Sequence, residues 1–412
     1  MGIVRVLLHV CLVLLAVPVP TPAPRAAMQL PVPRVSEGSI YPVTSVNAPI
    51  SKAPTQGKQI NMWRAALAPL EDDDEAGHSA AIGAAPKTVW IDAAGSDSAG
   101  TGSQSHPWAS LHHATQHVRG GDTVMIKGGL YNQNTTLHYG PPGSPGSPTI
   151  FKAADRERPV FTGPNDIAPT VRIDDYVRID GLWFVGKYTH CQQDDKPIAN
   201  CSAKTQAHIF PGSGGSDPYH GRGKEIVNCT LGGVNGIEQG STSYMLYRNN
   251  RVVLSGDGRF DHGIYLSGGN TMGQMAQHSV VDHNIFLGGQ GYAVQGWHRW
   301  RNSIITNNIF AGHYWGLVLD GCDHIAANNL YWNQTGEARK EPGFSMWLPG
   351  VRIKATGNIF YGGSTRCNSS FEGQGYGDTC SYSGVLMCGN DTELDSNAFL
   401  GKLEIHMHLG FA

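Results

Sequence analysis

The stretch IITNNIFAGH (304–313) consists of a short apolar run, two asparagines and a second apolar run that ends near a glycine. Similar units recur in VVDHNIFLGG (280–289), IAANNLYWN (325–333) and IKATGNIFYGG (353–363). The asparagines at 284, 308 and 329 follow one another after 24 and 21 residues. A repeat of this length is a supersecondary unit that buries its apolar face by stacking on its neighbours, which indicates a solenoid.

A second type of strand lies between these units, as in HGIYLSG (262–268), GYAVQG (291–296) and GLVLDG (316–321). Two or three short strands in about 22 residues favour a solenoid over a propeller, which needs about 40 residues per blade. We therefore predict an all-β fold, a right-handed parallel β-helix, with repeats from about residue 171 onward. Stacked asparagines should form a hydrogen-bonded ladder in it: Asn228, Asn250, Asn284, Asn308, Asn329, Asn358 and Asn397.

The segment VWIDAAGSDSAGTGSQSHPWASLHHATQHVRGGDTVMIKGGLY (89–131) precedes the repeats. Trp108, Leu111, Ala114 or Thr115, and Val118 have helical spacing, which predicts a short capping helix before the strand TVMIKGG. This segment resembles the amino-terminal cap of the pectate-lyase-like superfamily, and the asparagine coils extend the resemblance to most of 87–400. That superfamily contains polysaccharide lyases, uronate epimerases and glycosidases, so the resemblance implies a fold and a carbohydrate substrate but no single activity.

The chain begins with an arginine, an apolar run and then small residues and prolines, which predicts a signal peptide over 1–27. Residues 28–86, with the acidic run EDDDE (71–75), are predicted to be a flexible leader, and 87–412 the β-helix domain. We expect a secreted protein (periplasmic in a bacterium), a monomer, with no membrane span, because no later stretch has about 18 apolar residues.

A net charge of −3, with charged residues at 15%, argues against a nucleic-acid-binding surface. In an exported chain Cys191 and Cys201 could close a local disulfide loop, whereas Cys229 and Cys322 lie in apolar strands and are expected to be buried thiols. Two of the remaining three cysteines could form another disulfide: Cys367, Cys380 and Cys388.

Alternation along the second strand type predicts which side chains face outward. One core set is predicted to be Ile264, Tyr292 and Leu317, and a second core set Leu266, Val294 and Leu319. One outward column is predicted to be Glu238, Tyr265, Ala293, Val318 and Trp347, and the next Gly240, Ser267, Gln295, Asp320 and Pro349. His262 is expected to lie on the same outward face as Tyr265.

These outward residues predict chemistry on an acidic sugar, by β-elimination or C5 epimerisation. Removal of a proton beside a uronate carboxylate requires a base, a proton donor and a positive charge at the carboxylate. The catalytic candidates are His262, Tyr265, His298 and Arg301. The candidates for substrate binding are Glu238, Gln295, Trp300, Trp315, Asp320 and Trp347. Arg352 and Lys354 lie on the other strand type and are expected to face away from the groove.

Two alternatives are a glycoside hydrolase and a non-catalytic glycan-binding protein. A hydrolase holds its two carboxyl groups roughly 5–9.5 Å apart, whereas Glu238 and Asp320 are predicted to lie three coils, or about 14 Å, apart. No cofactor is predicted. Calcium is the one metal considered, at Asp257, Asp261 and Asp320, because it prefers oxygen ligands.

The change in composition at KTVWID (87–92) predicts where the ordered domain begins. Limited proteolysis should leave a stable core that starts near residue 87, and removal of 28–80 should leave folding intact. A first cut well inside 87–400, with none before it, would contradict this boundary.

Overall fold

Three long parallel sheets make up the computed structural model, and the chain visits them in turn. The structure describes residues 85–132, 136–163, 170–185, 192–193, 196–197, 209–210, 221–232, 237–240, 242–253, 262–267, 276–289, 291–297, 300–313, 315–332, 334, 345–348, 350, 352–361, 385–387, 393–400 and 406–407. Within these residues, most circuits contribute one strand to each sheet, and each strand pairs in parallel with strands of the adjacent circuits. This arrangement confirms the parallel β-helix.

Sheet 1 has eleven strands in the described part of the chain. They are β1 (Thr88–Ile91), β2 (Thr123–Ile126), β5 (Thr149–Ala153), β8 (Val177–Asp180), β14 (Glu225–Val227), β18 (Leu246–Arg248), β22 (Val280–Asp282), β26 (Ile304–Thr306), β29 (Ile325–Ala327), β32 (Lys354–Thr356) and β35 (Glu393–Asp395). Because β1, β2 and β5 already belong to it, the repeats begin near residue 88 and not near 171 as the sequence indicated.

Sheets 2 and 3 each have ten strands among the described residues. Sheet 2 contains β3 (Gly129–Asn132), β6 (Pro159–Thr162), β9 (Trp183–Phe184), β15 (Thr230–Gly232), β19 (Arg251–Val253), β23 (Ile285–Leu287), β27 (Ile309–Ala311), β30 (Leu330–Trp332), β33 (Ile359–Tyr361) and β36 (Ala398–Leu400). Sheet 3 contains β4 (Thr136–Tyr139), β7 (Thr170–Ile173), β12 (Ile209–Phe210), β16 (Ile237–Gly240), β20 (His262–Ser267), β24 (Tyr292–Trp297), β28 (Trp315–Leu319), β31 (Met346–Leu348), β34 (Val385–Met387) and β37 (His406–Met407).

Shorter pairings lie outside these sheets. They join β10 (Gln192–Gln193) to β11 (Lys196–Pro197), β13 (Gly221–Arg222) to β17 (Thr242–Ser243), and β21 (Ala276–Gln277) to β25 (Trp300–Arg301).

The predicted capping helix is present as α1 (Leu111–His117). Its first turn is closed by Ser110, whose hydroxyl accepts a hydrogen bond from the backbone N–H of His113 at 3.0 Å. Asp97 in turn accepts hydrogen bonds from the backbone and the hydroxyl of Ser110. Leu111 and Ala114 are buried, so the apolar face of the helix uses Ala114 rather than Thr115.

The interior is filled by side chains that stack from coil to coil. On sheet 2 the rings of Phe286, Phe310, Tyr331 and Phe360 form a continuous stack, with successive centroids 5.2, 4.8 and 4.7 Å apart. These spacings match the ordinary strand separation of about 4.8 Å. The stack therefore follows from identical positions of successive coils, as the aligned units NIF, NIF, NLY and NIF indicate.

The asparagine ladder is present from Asn250 to Asn397. Asn308 is typical: its Nδ2 donates to the carbonyl of Val281 at 2.9 Å and to Asn329 Oδ1 at 3.0 Å. Its own Oδ1 accepts hydrogen bonds from the backbone and the side chain of Asn284. The carboxamides thus satisfy backbone groups that would otherwise be buried at this turn without a partner.

The prediction was wrong for Asn228, which lies one residue before the ladder. Cys229 takes the ladder position, and its N–H donates to Asn250 Oδ1 at 3.0 Å. Asn228 has φ of 56° and belongs to a neighbouring column of left-handed residues with Asn249, Asn307 and Asn328. Asparagine is enriched in this conformation, which explains why the chain repeats pairs of asparagines.

Several sequence predictions lie outside the described residues: the signal peptide, almost all of the leader, and the cysteines at 191, 201, 367, 380 and 388. Cys229 is a buried free thiol as predicted, whereas Cys322 is free but only partly buried. No helix in the described ranges is long and apolar enough to cross a membrane.

Replacing ladder residues should destabilise the fold. Asn308→Leu and Asn329→Leu each leave buried backbone groups without a partner, at a cost of about 1–3 kcal/mol in the free energy of unfolding. Asn132→Leu, at an exposed position of β3, is the matched control and should unfold like the wild type. Chemical denaturation measures all three, and equal midpoints for ladder and control variants would contradict a stabilising ladder.

Candidate functional site

The outer face of sheet 3 carries the predicted site, and its register differs from the predicted one. Tyr265 is paired with Glu238 on one side and with Gln295 on the other. Gln295 pairs with Val318, which pairs with Trp347. Gln295 therefore replaces Ala293 in the predicted outward column, which we call the Tyr265 column.

A second correction concerns Tyr292, which pairs with His262 and Trp315 and not with Ile264. Ala293, predicted to face outward, belongs to the interior cluster, whereas Tyr292, predicted to be in the core, does not. The sequence analysis placed Ala293 beside Tyr265, whereas Gln295, two residues further, pairs with it. Because a shift of two residues keeps a side chain on the same face of a strand, the outward orientation of Gln295 was still predicted.

Gly263 explains why His262 and Tyr265, three residues apart, lie on one face. Pairing of β20 with β24 runs from His262 to Ile264 without a partner for Gly263. A β-carbon at Gly263 would lie 2.5 Å from the carbonyl oxygen of Ala293 and 2.8 Å from the ring of Phe286, so a larger residue does not fit there. This local irregularity interrupts the alternation and brings the two rings to 4.7 Å between centroids.

His262 is held in place by its neighbours on β24. Its Nε2 is hydrogen-bonded to Gln295 Oε1, and its ring stacks on Tyr292 with centroids 5.2 Å apart. Burial lowers the pKa of His262 to about 4, and the hydrogen bond that His262 donates to Gln295 opposes this only in part. The imidazole is therefore neutral at neutral pH.

The hydrogen bond with Gln295 also assigns the tautomer. Because the amide oxygen can only accept, His262 Nε2 carries the proton and Nδ1 carries the lone pair. His262 is 7% exposed, whereas Tyr265 is only partly buried. Tyr265 is thus the group that a substrate would meet first, with the neutral imidazole directly beside it.

The predicted aromatic platform is buried in this structure. Trp315 and Trp347 each expose 3% of their surface. Their rings meet edge to face at 5.4 Å, and Trp315 meets Tyr292 in the same way at 4.5 Å. Trp315 packs against Tyr292, the ring on which His262 stacks, and neither tryptophan leaves an open ring face for a sugar.

Trp300 does not bind substrate on the surface, because it is completely buried in the interior cluster. Its ring lies 4.6 Å from that of His324, over the position where Gly296 has no side chain. Arg301, on β25, donates from Nε to Gln277 Oε1 at 3.0 Å. His298 lies outside the described residues, so the predicted cationic loop is seen only in part.

Carboxylates are sparse among the described residues of this face. Asp320 is partly buried and accepts a hydrogen bond from the backbone of Gly321 at 2.8 Å, which is a turn contact. Glu238 lies on β16 and Asp320 directly follows β28, and these two strands are three strand separations apart, or about 14 Å. Within the described residues no group of His, Cys, Asp or Glu side chains is arranged to hold a metal ion, and Asp257 and Asp261 lie outside them.

The sequence analysis did not identify a polar cluster at the β4 end of sheet 3, formed by His138, Arg172 and Asp174. His138 Nε2 lies 2.8 Å from Asp174 Oδ1, and Arg172 pairs with His138 across β4 and β7. The signal was available in the aligned strands TLHY (136–139) and TVRI (170–173), where a basic residue occupies the same outward position. The 36 residues between His138 and Asp174 hide their contact from any local motif.

Solved structures to which the chain is similar include polysaccharide lyases and glycoside hydrolases. An alginate lyase from Paenibacillus has a TM-score of 0.38 and 13% identity, covering 78% of this chain and 99% of that chain. Pectate lyase Pel9A has a TM-score of 0.35 and 14% identity, covering 77% and 79%. The GH136 lacto-N-biosidase from Eubacterium ramulus has a TM-score of 0.34 and 9% identity, covering 78% and 68%.

At such low identities and TM-scores, these similarities carry no argument about activity. The parallel β-helix rests on the strand order and register of the chain itself. No protein-family model matches the sequence, and no curated protein sequence matches it.

The buried imidazoles predict a loss of stability in acid. The folded-state pKa values of His262 and His324 are lowered to about 4 by burial, from 6.5. The unfolded chain therefore binds more protons between about pH 6.5 and 4, and the free energy of unfolding falls as pH decreases through that window. Melting temperatures at pH 7, 6, 5 and 4 measure this, and His262→Gln should show a shallower decline. A variant that declines as steeply as the wild type would contradict the low pKa of His262.

Proposed function

We propose that this chain is an exported enzyme that acts on an acidic, uronate-containing polysaccharide, and that it does so by β-elimination. The observation that carries the proposal is the contact between the Tyr265 phenol and a neutral, oriented His262 on the outer face of sheet 3. The apolar amino terminus supports export, and the cap-like segment 89–131 supports a carbohydrate substrate.

The proposed reaction removes the C5 proton and supplies a proton to the leaving oxygen, and Tyr265 is assigned both transfers. The Tyr265 oxygen takes the C5 proton beside the uronate carboxylate, the C–H electron pair forms a C4–C5 double bond, and the bond from C4 to the leaving oxygen breaks. As that bond breaks, the leaving oxygen takes the original phenol proton of Tyr265, which the C5 proton replaces, so that Tyr265 ends the step as a phenol. His262 acts as a positioning residue, because its ring packs against the ring of Tyr265 and is itself held by the hydrogen bond with Gln295.

Elimination fits this arrangement better than epimerisation does. An epimerase removes the C5 proton on one face of the sugar and supplies another on the opposite face, so its two groups must stand on both sides of the ring. His262 and Tyr265 lie together on one face of one sheet. These two residues therefore support removal and return of a proton on the same face of the sugar ring.

The alternatives find less support among the described residues. A hydrolase needs a pair of carboxyl groups at about 5–9.5 Å, and Glu238 and Asp320 lie too far apart to form one. A non-catalytic glycan-binding surface would use open aromatic faces, whereas Trp315 and Trp347 are buried.

The test uses substitutions that remove single groups. Tyr265→Phe keeps the ring and deletes the hydroxyl, and His262→Asn removes the imidazole. Each should lower turnover of a uronate polymer by about 10²–10⁴-fold, while Tyr265→Phe leaves the melting temperature within a few degrees of the wild type. The readout is the ultraviolet absorbance of the unsaturated product.

Tyr139→Phe is the matched control. Tyr139 also lies on sheet 3, but it faces the interior, and its buried hydroxyl has no hydrogen-bond partner in the described structure. The loss of this hydroxyl in Tyr139→Phe should leave turnover unchanged. Wild-type turnover by Tyr265→Phe would overturn the proposal, and new reducing ends without unsaturation would show hydrolysis instead.

A further inference from the structure

The polar cluster at the amino-terminal end of sheet 3 lies in line with the candidate site. His138 on β4 and Arg172 on β7 are paired in register, and both side chains are exposed. β7, β12, β16 and β20 are successive neighbours in the sheet. Arg172 therefore extends the Tyr265 column, three strand separations or about 14 Å from Tyr265.

The cluster is built so that His138 is held by Asp174. The Nε2–Oδ1 distance is 2.8 Å, and the Asp174 side chain is 32% exposed. A β-carbon at position 140 would collide with Asp174 Oδ2, so glycine at this position makes room for the carboxylate. His138 Nδ1 makes no hydrogen bond within the described part of the chain and remains available as a donor when the ring is protonated.

A second ion pair, between Lys224 and Asp175, lies next to the cluster and stabilises it. The Lys224 side chain is 1% exposed, and its Nζ lies 2.8 Å from the carbonyl oxygen of Ile173 and 3.3 Å from Asp175 Oδ1. This contact fixes the end of β7 and neutralises Asp175. Asp174 is engaged by His138 and Asp175 by Lys224, whereas no ion pair with Arg172 occurs among the described residues.

The charges around His138 act in opposite directions. The hydrogen bond that His138 donates to Asp174 raises the pKa of His138, and burial and the positive charges of Arg172 and Lys224 oppose this increase. Glu238 is the nearest acidic position along the Tyr265 column, two strand separations from Arg172. In mildly acidic solution the exposed surface of the cluster thus presents two cationic donors.

We propose that Arg172 and His138 form a subsite that binds a carboxylate of an acidic glycan whose reacting sugar lies at Tyr265. This subsite rests on the proposed function, because it takes the same polymer as its ligand. A uronate polymer carries a carboxylate on every sugar, and a chain that runs along sheet 3 brings one of them to Arg172. The subsite therefore selects for length and for charge, and its affinity decreases as pH rises through the pKa of His138.

Calorimetry with hexameric and dimeric galacturonate and mannuronate measures binding directly. The Tyr265→Phe protein serves as the background, so that the ligand is not consumed. Arg172→Gln in that background should weaken hexamer binding by about tenfold, the effect of one charged hydrogen bond. Dimer binding should not change, because a dimer at Tyr265 does not reach Arg172.

Arg178→Gln is the matched control. Arg178 is an arginine on β8 of sheet 1 that pairs with Asp180 and Glu225, away from sheet 3. It should bind the hexamers like the background protein. A pH series adds a second readout: hexamer affinity should decrease with rising pH in the background protein, and His138→Asn should abolish that dependence. Asp174→Asn should move the midpoint to lower pH, because it removes the main cause of the raised pKa.

Equal hexamer affinities for Arg172→Gln and Arg178→Gln would overturn the subsite, as would an equal loss of affinity for a neutral glucose hexamer. Failure of the proposed function looks different. If Tyr265→Phe still turns over polymer but Arg172→Gln weakens hexamer binding, the chemistry lies elsewhere and the subsite stands. If Tyr265→Phe is inactive but Arg172→Gln binds normally, the reaction stands and the subsite does not.

Discussion

The hydrogen-bond requirement of the buried turn between sheets 1 and 2 constrains the rest of the molecule. From Asn250 to Asn358, an asparagine carboxamide in each coil accepts from the preceding coil and donates to the next one and to a carbonyl, as Asn308 does with Asn329 and Val281. No apolar residue can replace both functions, so successive coils have to stay in register. The regular strand separation of about 4.8 Å follows in the coils that carry the ladder.

Because the coils are separated by a fixed distance, side chains on several short strands can be held in a defined arrangement and form a site. Side chains at equal positions of successive coils form columns, and each column is a row of groups at known intervals. Tyr265, Gln295 and Arg172 are separated by coil spacings rather than by loop conformations. The irregularity at Gly263 then adds His262 to the outer face, where strict alternation would have turned it inward.

The repeat and the ladder could be predicted from the sequence because they are periodic. The displacement at Asn228 could not be predicted. In the unit IVNC the ladder position is a cysteine, and the sequence does not distinguish a ladder asparagine from one in the neighbouring column. The two-residue error on β24 has a similar cause: YAVQ offers apolar residues on both faces, so hydrophobicity alone does not fix its register. The requirement for glycine at position 263 could not be predicted from the sequence, because it depends on how close a β-carbon there would come to Ala293 and Phe286.

The candidate site was predictable in residue type but not in environment. His262, Tyr265 and Gln295 were identified as outward, yet the burial that lowers the pKa of His262 to about 4 depends on residues of several coils. The same is true of Trp300, Trp315 and Trp347, whose aromatic character suggested sugar stacking although they are packed away from solvent. The contact of His138 with Asp174 joins neighbouring coils, and only the stacking of β4 on β7 reveals it.

The proposed reaction and subsite both require an acidic glycan to lie along the outer face of sheet 3 with its reacting sugar at Tyr265. A crystal structure of the Tyr265→Phe protein with a bound uronate hexamer tests this most directly. We expect C5 of one sugar to lie over the ring at position 265 and a carboxylate further along the glycan to contact Arg172. A hexamer bound to sheet 1 or sheet 2, with the face around His262 empty, would contradict it.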